Sequence, residues 1–514
     1  MKAQRINATR TTHKASDPSI PILYAERYRP QLHYSPPEHW LSDPNGLVWH
    51  DGSFHLFYQH NPGGNDWGYI HWGHAVSRDL VHWRHCPVAV QADPWGSGFA
   101  FSGCAIVDHE NRSGLGVNGS APLVALYTGA TVEGVQSQCI AFSVDGGNSW
   151  APYRGNPVIA NPGTRDFRDP KVFWNIDREE WIMILAVGER LDLYQSKNLL
   201  EWQWISEFRC FIESAGDVLE CPDLFPLRSA SGEMHWVLIV SATNQTTHKD
   251  RATRYFIGTF DGRQFVPYDA HSRWIDYGPD NYATVTWDNV PVADGRRIAI
   301  GWMSNWRYAR EAPTYPWRGH MTFPRELVLV EDDRGVRLAS RPVDEIEHLH
   351  RESVQLDGSP IESEAVKVFF SRLPAELLDV ELKFNWRGQT PEPFGLLFSN
   401  ESGDVAMIIA DVANDLLVLD RSQVGKSMPY GQNANKIEAP LVVIGDCLTL
   451  RVIKDRASVE VFVGDGRVAI SANLFFDKPF DSVSQFGGGD VEVHGKASIL
   501  ESIWEDTVGS NNHV

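Results

Sequence analysis

Short apolar runs, each closed by Gly, Asn or Asp, follow one another along this chain, and helical spacing is rare. Within the first 310 residues one unit recurs five times: a short strand, a turn, then a strongly apolar strand that ends polar. The apolar strands are FHLFYQH from Phe54, PLVALYT from Pro122, WIMILAV from Trp181, WVLIVSA from Trp236 and RIAIGWM from Arg297. Their starts lie 68, 59, 55 and 61 residues apart. Asp51-Gly52, just before the first, reads as a hairpin turn whose two central positions need positive φ.

A second refrain follows the apolar strands. SRDLVHW (Ser77 to Trp83), SVDGGNSW (Ser143 to Trp150) and SKNLLEW (Ser196 to Trp202) share a Ser, a polar turn and a closing Trp; TFDGRQF (Thr259 to Phe265) is a looser copy. Repeats of roughly 40–60 residues built from short antiparallel strands predict β-propeller blades. Five units predict five blades. A single large β-sandwich would not explain two refrains recurring in phase.

After about Arg341 the pattern changes. RPVDEIEHLHRESV is charged and predicts a short helix or linker. Beyond it DVELKFNW, FGLLFS, VAMIIADV, LLVLD, CLTLRVIKD and SVEVFVGDG alternate as strands of a second all-β unit, a sandwich. The expected fold is therefore all-β. It divides into an N-terminal tail (1–28), a five-bladed β-propeller (29–340), a linker (341–355), a β-sandwich (356–507) and a C-terminal tail (508–514).

Composition narrows the function. Lys+Arg 46 against Asp+Glu 66 gives a net charge of −20, the wrong sign for a nucleic-acid binder. No apolar run reaches the roughly 20 residues of a membrane-spanning helix. The first 20 residues hold no apolar leader segment, which points to the cytoplasm, although a leader removed during maturation would leave the same sequence. The six cysteines form no CxxC pair, so neither a disulfide framework nor a zinc site is expected. His60, His71, His74, His82 and His85 crowd one stretch, but strand spacing scatters them over both faces and no metal site is expected.

The candidate chemistry lies in acids beside prolines. Asp43-Pro44, Asp169-Pro170 and Glu220-Cys221-Pro222 each open the first strand of a repeat. In a propeller that strand lines the central channel, so residues far apart in sequence converge on one mouth. One Asp-Pro alone reads as a turn, but three in phase point to a function that offsets the cost of crowding like charges. Two facing carboxyls are the machinery of glycoside hydrolysis. Trp67, Trp72, Trp302 and Trp306 lie near the same strand ends as stacking faces for sugar C–H groups. Cys221 has no His-Asp pair to make it a nucleophile and is expected to pack behind the acid. Spacing alone leaves Asp223 open as an alternative to Glu220, with Asp166 and Asp217 as further neighbours.

These residues resemble glycoside hydrolase family 32, the invertases, exo-inulinases and levanases. The likeness rests on His39-Trp40-Leu41-Ser42-Asp43-Pro44-Asn45-Gly46, Phe57-Tyr58-Gln59-His60-Asn61-Pro62, Trp72-Gly73-His74-Ala75, Phe101-Ser102-Gly103, Phe167-Arg168-Asp169-Pro170, Glu220-Cys221-Pro222 and Gly301-Trp302-Met303-Ser304-Asn305-Trp306. It runs from about His33 to Val330, and SVEVFVGDGRVAISANLFF resembles the family's C-terminal sandwich. The resemblance implies a retaining, exo-acting β-fructofuranosidase on sucrose or fructans, with no metal or organic cofactor and a monomeric or homodimeric chain. It implies Asp43 as nucleophile, Glu220 as acid/base and Asp169 as transition-state stabiliser with Arg168 beside it. It makes Ser42, Asn45, Gln59, Trp67, Phe101, Ser102 and Trp306 the fructose-pocket contacts. Ser42 stands where the family has Asn, which raises fructosyl transfer from the same site as an alternative. A non-catalytic carbohydrate-binding propeller is the alternative from another class.

Overall fold

The computed structural model describes residues 24–504 apart from 94–95, 97, 210–216, 245–251, 333–334 and 426–434. Residues 39–342 form five sheets of four or five strands. Their innermost strands are His39–His50, Phe99–Val107, Arg168–Asn175, Asp217–Arg228 and Tyr282–Thr286. Each touches the next, and the fifth returns to the first, which closes a ring. The architecture is a β-propeller. Trp317–Arg318, from the connection inside the fifth sheet, also pairs with His39 and Trp40 of the first.

The five apolar runs are the second strands of these sheets. Leu123–Ala130 and Glu180–Val187 are buried along their whole length, because sheets on both sides cover them. Burial on two faces removes any alternation, so they read as continuous apolar runs. At the first hairpin Asp51 and Gly52 take φ 47° and 75°. The second refrain is a turn between third and fourth strands, closed by a carboxylate or amide. Asp79 Oδ1 accepts from the N–H groups of Val81 (3.2 Å) and His82 (2.9 Å), and Asn198 Oδ1 from those of Leu200 (3.0 Å) and Glu201 (2.9 Å). Such side-chain closure of a turn is what Asp and Asn do best.

Residues 350–500 form a six-stranded and a five-stranded sheet that pack as a sandwich. The predicted strand runs appear as Leu378–Asn385, Phe394–Ser399, Val405–Asp411, Leu416–Gln423, Cys447–Asp455 and Ser458–Val463. Two boundaries differ from the sequence reading. The stretch read as a short helix or linker does hold a 3-10 helix, Asp344–Leu349, but runs straight on into a strand, His350–Pro360, paired with Glu492–Leu500. Its charged side chains face solvent from a sheet edge, which hid the strand. At the N-terminus, residues 24–28 are packed down and not a loose tail: the Tyr28 hydroxyl donates to Phe476 O (2.8 Å) and Tyr24 stacks on Trp504 at 4.0 Å. The remainder of both tails lies outside the described residues.

Charges buried between propeller and sandwich join the two units. Arg325 Nη1 donates to Asp276 Oδ2 (2.8 Å) and its Nε to Glu460 Oε2 (3.0 Å). His33 bridges Asp455 (2.7 Å) and Glu460 (2.9 Å). Gly278 allows the closest approach: a Cβ there would lie 2.1 Å from Ser471 O. Only glycine fits such a contact.

Candidate active site

The innermost strand of every sheet carries one extra residue near its start. The pairing slips between Leu41 and Pro44, Ala100 and Gly103, Arg168 and Lys171, Glu220 and Asp223, and Tyr282 and Val285. Each slip is a β-bulge, which re-aims a side chain out of the ladder. The bulges carry or adjoin Asp43, Ser102, Asp169, Glu220 and Tyr282. Asp169, Cys221 and Ala283 sit at φ 62°, 49° and 54°, a region that costs a non-glycine residue on the order of 1–3 kcal/mol. Strain repeated at one end of the channel builds the site.

Asp43 is buried. Its Oδ2 accepts from Ser102 Oγ (2.9 Å) and Gln59 Nε2 (3.1 Å), and the Cys221 thiol lies 3.8 Å from it. Gln59 Nε2 also donates to Ser102 Oγ. Asp43 Oδ1 has no hydrogen-bond partner among the described residues. Burial, reinforced by the charge of Glu220, pushes the Asp43 carboxyl up to about 6.

Asp169 faces the same sulfur. Its Oδ2 accepts from the Cys221 backbone N–H (3.1 Å) and lies 3.7 Å from the thiol, while its own N–H donates to Thr128 Oγ1 (2.9 Å). Burial is the largest influence and raises this carboxyl to about 7; Glu220 and Asp43 add to the rise, against the pull of Arg168. Burial and three neighbouring carboxylates push the Cys221 thiol far up, so it stays protonated and serves as a donor between the two acids.

Glu220 is held on both oxygens. Arg168 Nη2 donates to Oε1 (2.9 Å) and the Tyr282 hydroxyl to Oε2. Arg168 is fixed in turn by Asp166 Oδ1 (2.6 Å), and the Gln136 amide oxygen accepts from Phe167 N–H (2.8 Å). Glu220 keeps more exposure than either aspartate, 21% of its side chain. It stands toward solvent.

Of the residues expected around these acids, Gln59 and Ser102 are bound to Asp43, and Arg168 to Glu220. Asn45 is buried beneath them; its amide oxygen accepts from Gln59 N–H (3.1 Å) and its nitrogen donates to Ser102 Oγ (3.3 Å). Trp67 and Phe101 stand together at the rim with ring centroids 5.7 Å apart. Trp306 is half-buried and stacks on Trp40 at 5.8 Å. Ser42 departs from expectation: it is fully buried, and its hydroxyl accepts from the Trp40 indole (3.2 Å). Trp72 and Trp302 are likewise fully buried and offer no stacking face.

Asp223 does not compete with Glu220. It lies wholly buried farther along the channel, paired with Lys171 Nζ (3.3 Å) and accepting from Thr286 N–H and Oγ1 (both 2.8 Å). Asp166 serves Arg168, and the Asp217 side chain lies outside the described residues. The clustered histidines are engaged separately: His60 by Trp40 O (2.7 Å), His74 by His55 (3.1 Å), His82 by Asp79 (2.8 Å), His85 by Tyr34 (3.0 Å), while His71 accepts from Ala92 N–H (3.1 Å). Sequence reasoning missed Tyr282 and Thr128. Tyr282 opens the inner strand of the fifth sheet but lacks the acid-proline mark that singled out the other three.

Known proteins resemble the chain over nearly all of its length. Residues 33–342 match the glycosyl hydrolases family 32 N-terminal domain, and residues 345–501 its C-terminal counterpart. A levanase of Bacillus subtilis is 39% identical over 505 residues, spanning 97% of this chain and 74% of that protein. An extracellular exo-inulinase of Aspergillus niger is 35% identical, spanning 94% of this chain and 96% of its own. The crystal structure of Aspergillus awamori exo-inulinase superposes with a TM-score of 0.83 at 32% identity, over 94% of this chain and all of that one.

Proposed function

The chain belongs to glycoside hydrolase family 32, and from that membership we infer that it is a retaining, exo-acting β-fructofuranosidase that releases terminal β-D-fructosyl units from sucrose and fructans. Asp43 is the nucleophile. Its Oδ2 is fixed by Ser102 and Gln59, and its free Oδ1 attacks the anomeric C2. Glu220 gives its proton to the glycosidic oxygen as the C2–O bond breaks. Arg168 and Tyr282 then hold the carboxylate left behind. In the second step Glu220 takes a proton from water, whose oxygen displaces Asp43 from C2. Two inversions give net retention.

Asp169 binds ring hydroxyls beside the oxocarbenium-like centre. Trp67, Phe101 and Trp306 give the aromatic walls, while Asn45 acts from beneath by orienting Gln59 and Ser102. Ser42 has the same supporting place through Trp40. One observation carries the reading: Asp43 and Asp169 lie on either side of one thiol, with Glu220 in the adjoining bulge, at a single channel mouth.

Sucrose, inulin and levan assayed side by side test it. Release of fructose as the β-furanose anomer, seen by NMR before mutarotation, is expected; α-fructose or no fructose from all three would sink the inference. Concentrated sucrose separates hydrolysis from transfer. Equal glucose and fructose supports hydrolysis, and excess glucose with kestoses supports transfer.

A further inference from the structure

All five inner strands run from the catalytic mouth toward the opposite end of the channel, where a second cavity of about 360 Å³ opens. Asp169 and Asn175, at the two ends of one strand, are separated by roughly 20 Å at the usual rise per residue. Between the two mouths the channel is plugged: Lys171 Nζ donates to Thr286 O (2.8 Å) and pairs with Asp223 and Asp288 (3.3 and 2.9 Å). A molecule at the far mouth therefore cannot reach Asp43 or Glu220.

The far cavity combines aromatic faces with polar groups that lack partners. Phe173, Trp174 and Trp236 line it half-buried, with Phe173 and Trp236 5.4 Å apart. Trp181 is 6% exposed, lines the same cavity, and its indole N–H has no hydrogen-bond partner among the described residues. Asp223 is wholly buried; its Oδ2 is used, but Oδ1 is equally without a partner. Asp288 reaches the cavity from the fifth sheet with its carboxyl raised by burial.

A buried unpaired donor and acceptor are costly, and a ligand that satisfies both is favoured. A cation does not fit, because the Lys171 ammonium already lies between the two carboxylates. An anion would meet those carboxylates. A neutral ring with hydroxyls on its edge and C–H groups on its faces suits indole faces, an N–H donor and carboxylate acceptors at once. We propose that this far mouth is a second, non-catalytic binding site for a neutral sugar ring, either a free monosaccharide or a unit of a fructan.

Affinity electrophoresis of the full chain in native gels containing inulin or levan tests this without using activity. Asp43→Asn provides a background that cannot consume the polymer, and Trp174→Ala/Asp288→Asn alters the far mouth. The expected result is that adding the far-mouth changes weakens the retardation constant about threefold or more, as loss of one aromatic face implies. Free fructose in the gel separates the sources: abolition of that component assigns a single ring, and persistence assigns the polymer. Unchanged retardation on adding the far-mouth substitutions would overturn the proposal. Thermal midpoints check folding, and Asp288→Asn alone, which leaves the rings in place, makes the comparison if the double change unfolds. Failure here leaves the catalytic reading untouched, since release of fructose is measured separately.

Discussion

Ser102 Oγ donates to Asp43 Oδ2 at 2.9 Å, and the other oxygen of that carboxylate is left free. The pair turns a flexible carboxylate into an aimed one, since the engaged oxygen fixes the direction of Oδ1. A hydrogen bond to a charged group contributes about 1.5–3 kcal/mol, or roughly 10- to 150-fold in rate if expressed in the transition state. Ser102→Ala is expected to lower kcat/KM by that factor. A fructosyl ester trapped during turnover should map by mass spectrometry to Asp43; label on Asp169 would reverse the two roles.

Glu220 is separately testable through the leaving group. Glu220→Ala removes the proton that a poor leaving group needs, and an activated fructoside such as β-fructosyl fluoride does not need it. Sucrose hydrolysis should fall by about 10²–10⁴-fold, the usual contribution of general acid catalysis, with a much smaller loss on the fluoride. Equal losses on both would remove Glu220 from the acid role.

As the proposed nucleophile Asp43 must be ionised to attack, and burial with the charge of Glu220 pushes its carboxyl up to about 6. The acidic limb of kcat/KM should therefore fall in that region and belong to the coupled cluster of Asp43, Asp169 and Glu220. Glu220 raises the Asp43 value by its charge. Glu220→Gln, followed with the fluoride, should move the acidic limb to lower pH. A limb that stays in place would mean another group controls it.

Much of this is legible in the chain itself. The apolar second strands announced the sheets because each is covered on both faces, and the acid-proline pairs marked three of the inner strands. The bulges were not legible, since they arise from pairing with a neighbour and leave no mark of their own in sequence. That is why Tyr282 was missed and why Asp223, only three residues from Glu220, stayed open. Burial also misled in two places. Trp72 and Trp302 sit at the right strand ends, yet packing between sheets covers them, and Ser42 is turned to Trp40. A tryptophan beside a site and one in it look alike without tertiary contacts.

Asp169, proposed to bind ring hydroxyls, is held against stability. Its carboxyl is about 7 folded against an ordinary value of 3.8, so the folded state binds its proton more tightly. That contribution is present at low pH and is lost as pH rises from about 4 to 7. Asp169→Asn removes the burden at an equal size. The variant should be nearly inactive yet more stable than the parent at pH 8, by at most about 4 kcal/mol and less in a coupled cluster, with the difference gone at pH 4. Denaturant melts at the two pH values measure this, and a variant less stable at pH 8 would contradict it.

His33 has a raised value for the opposite reason. Held between Asp455 and Glu460 at the junction of propeller and sandwich, it titrates near 9 in place of the usual 6.5. Its stabilisation is complete below 6.5 and is lost as pH climbs through about 9, whereas its partners, drawn down to about 2, lose theirs only in acid. Other buried groups titrate across the same interval: Asp169, raised to about 7, adds to the slope, while Lys454 and the depressed histidines oppose it. His55, His60 and His85, depressed to about 4, and His320, depressed to about 3, act with the opposite sign as the unfolded imidazoles titrate around 6.5, and Lys454, lowered to about 8, does so through that value. Between pH 7 and 8 His33 therefore keeps close to one proton in the native state that its unfolded imidazole releases. The His33 contribution to unfolding free energy should fall by about 1 kcal/mol over that unit, so the slopes of parent and His33→Gln should differ by that amount, with the variant less stable throughout. Equal slopes in parent and variant would show that His33 is neutral in the fold and that Arg325 alone compensates Glu460.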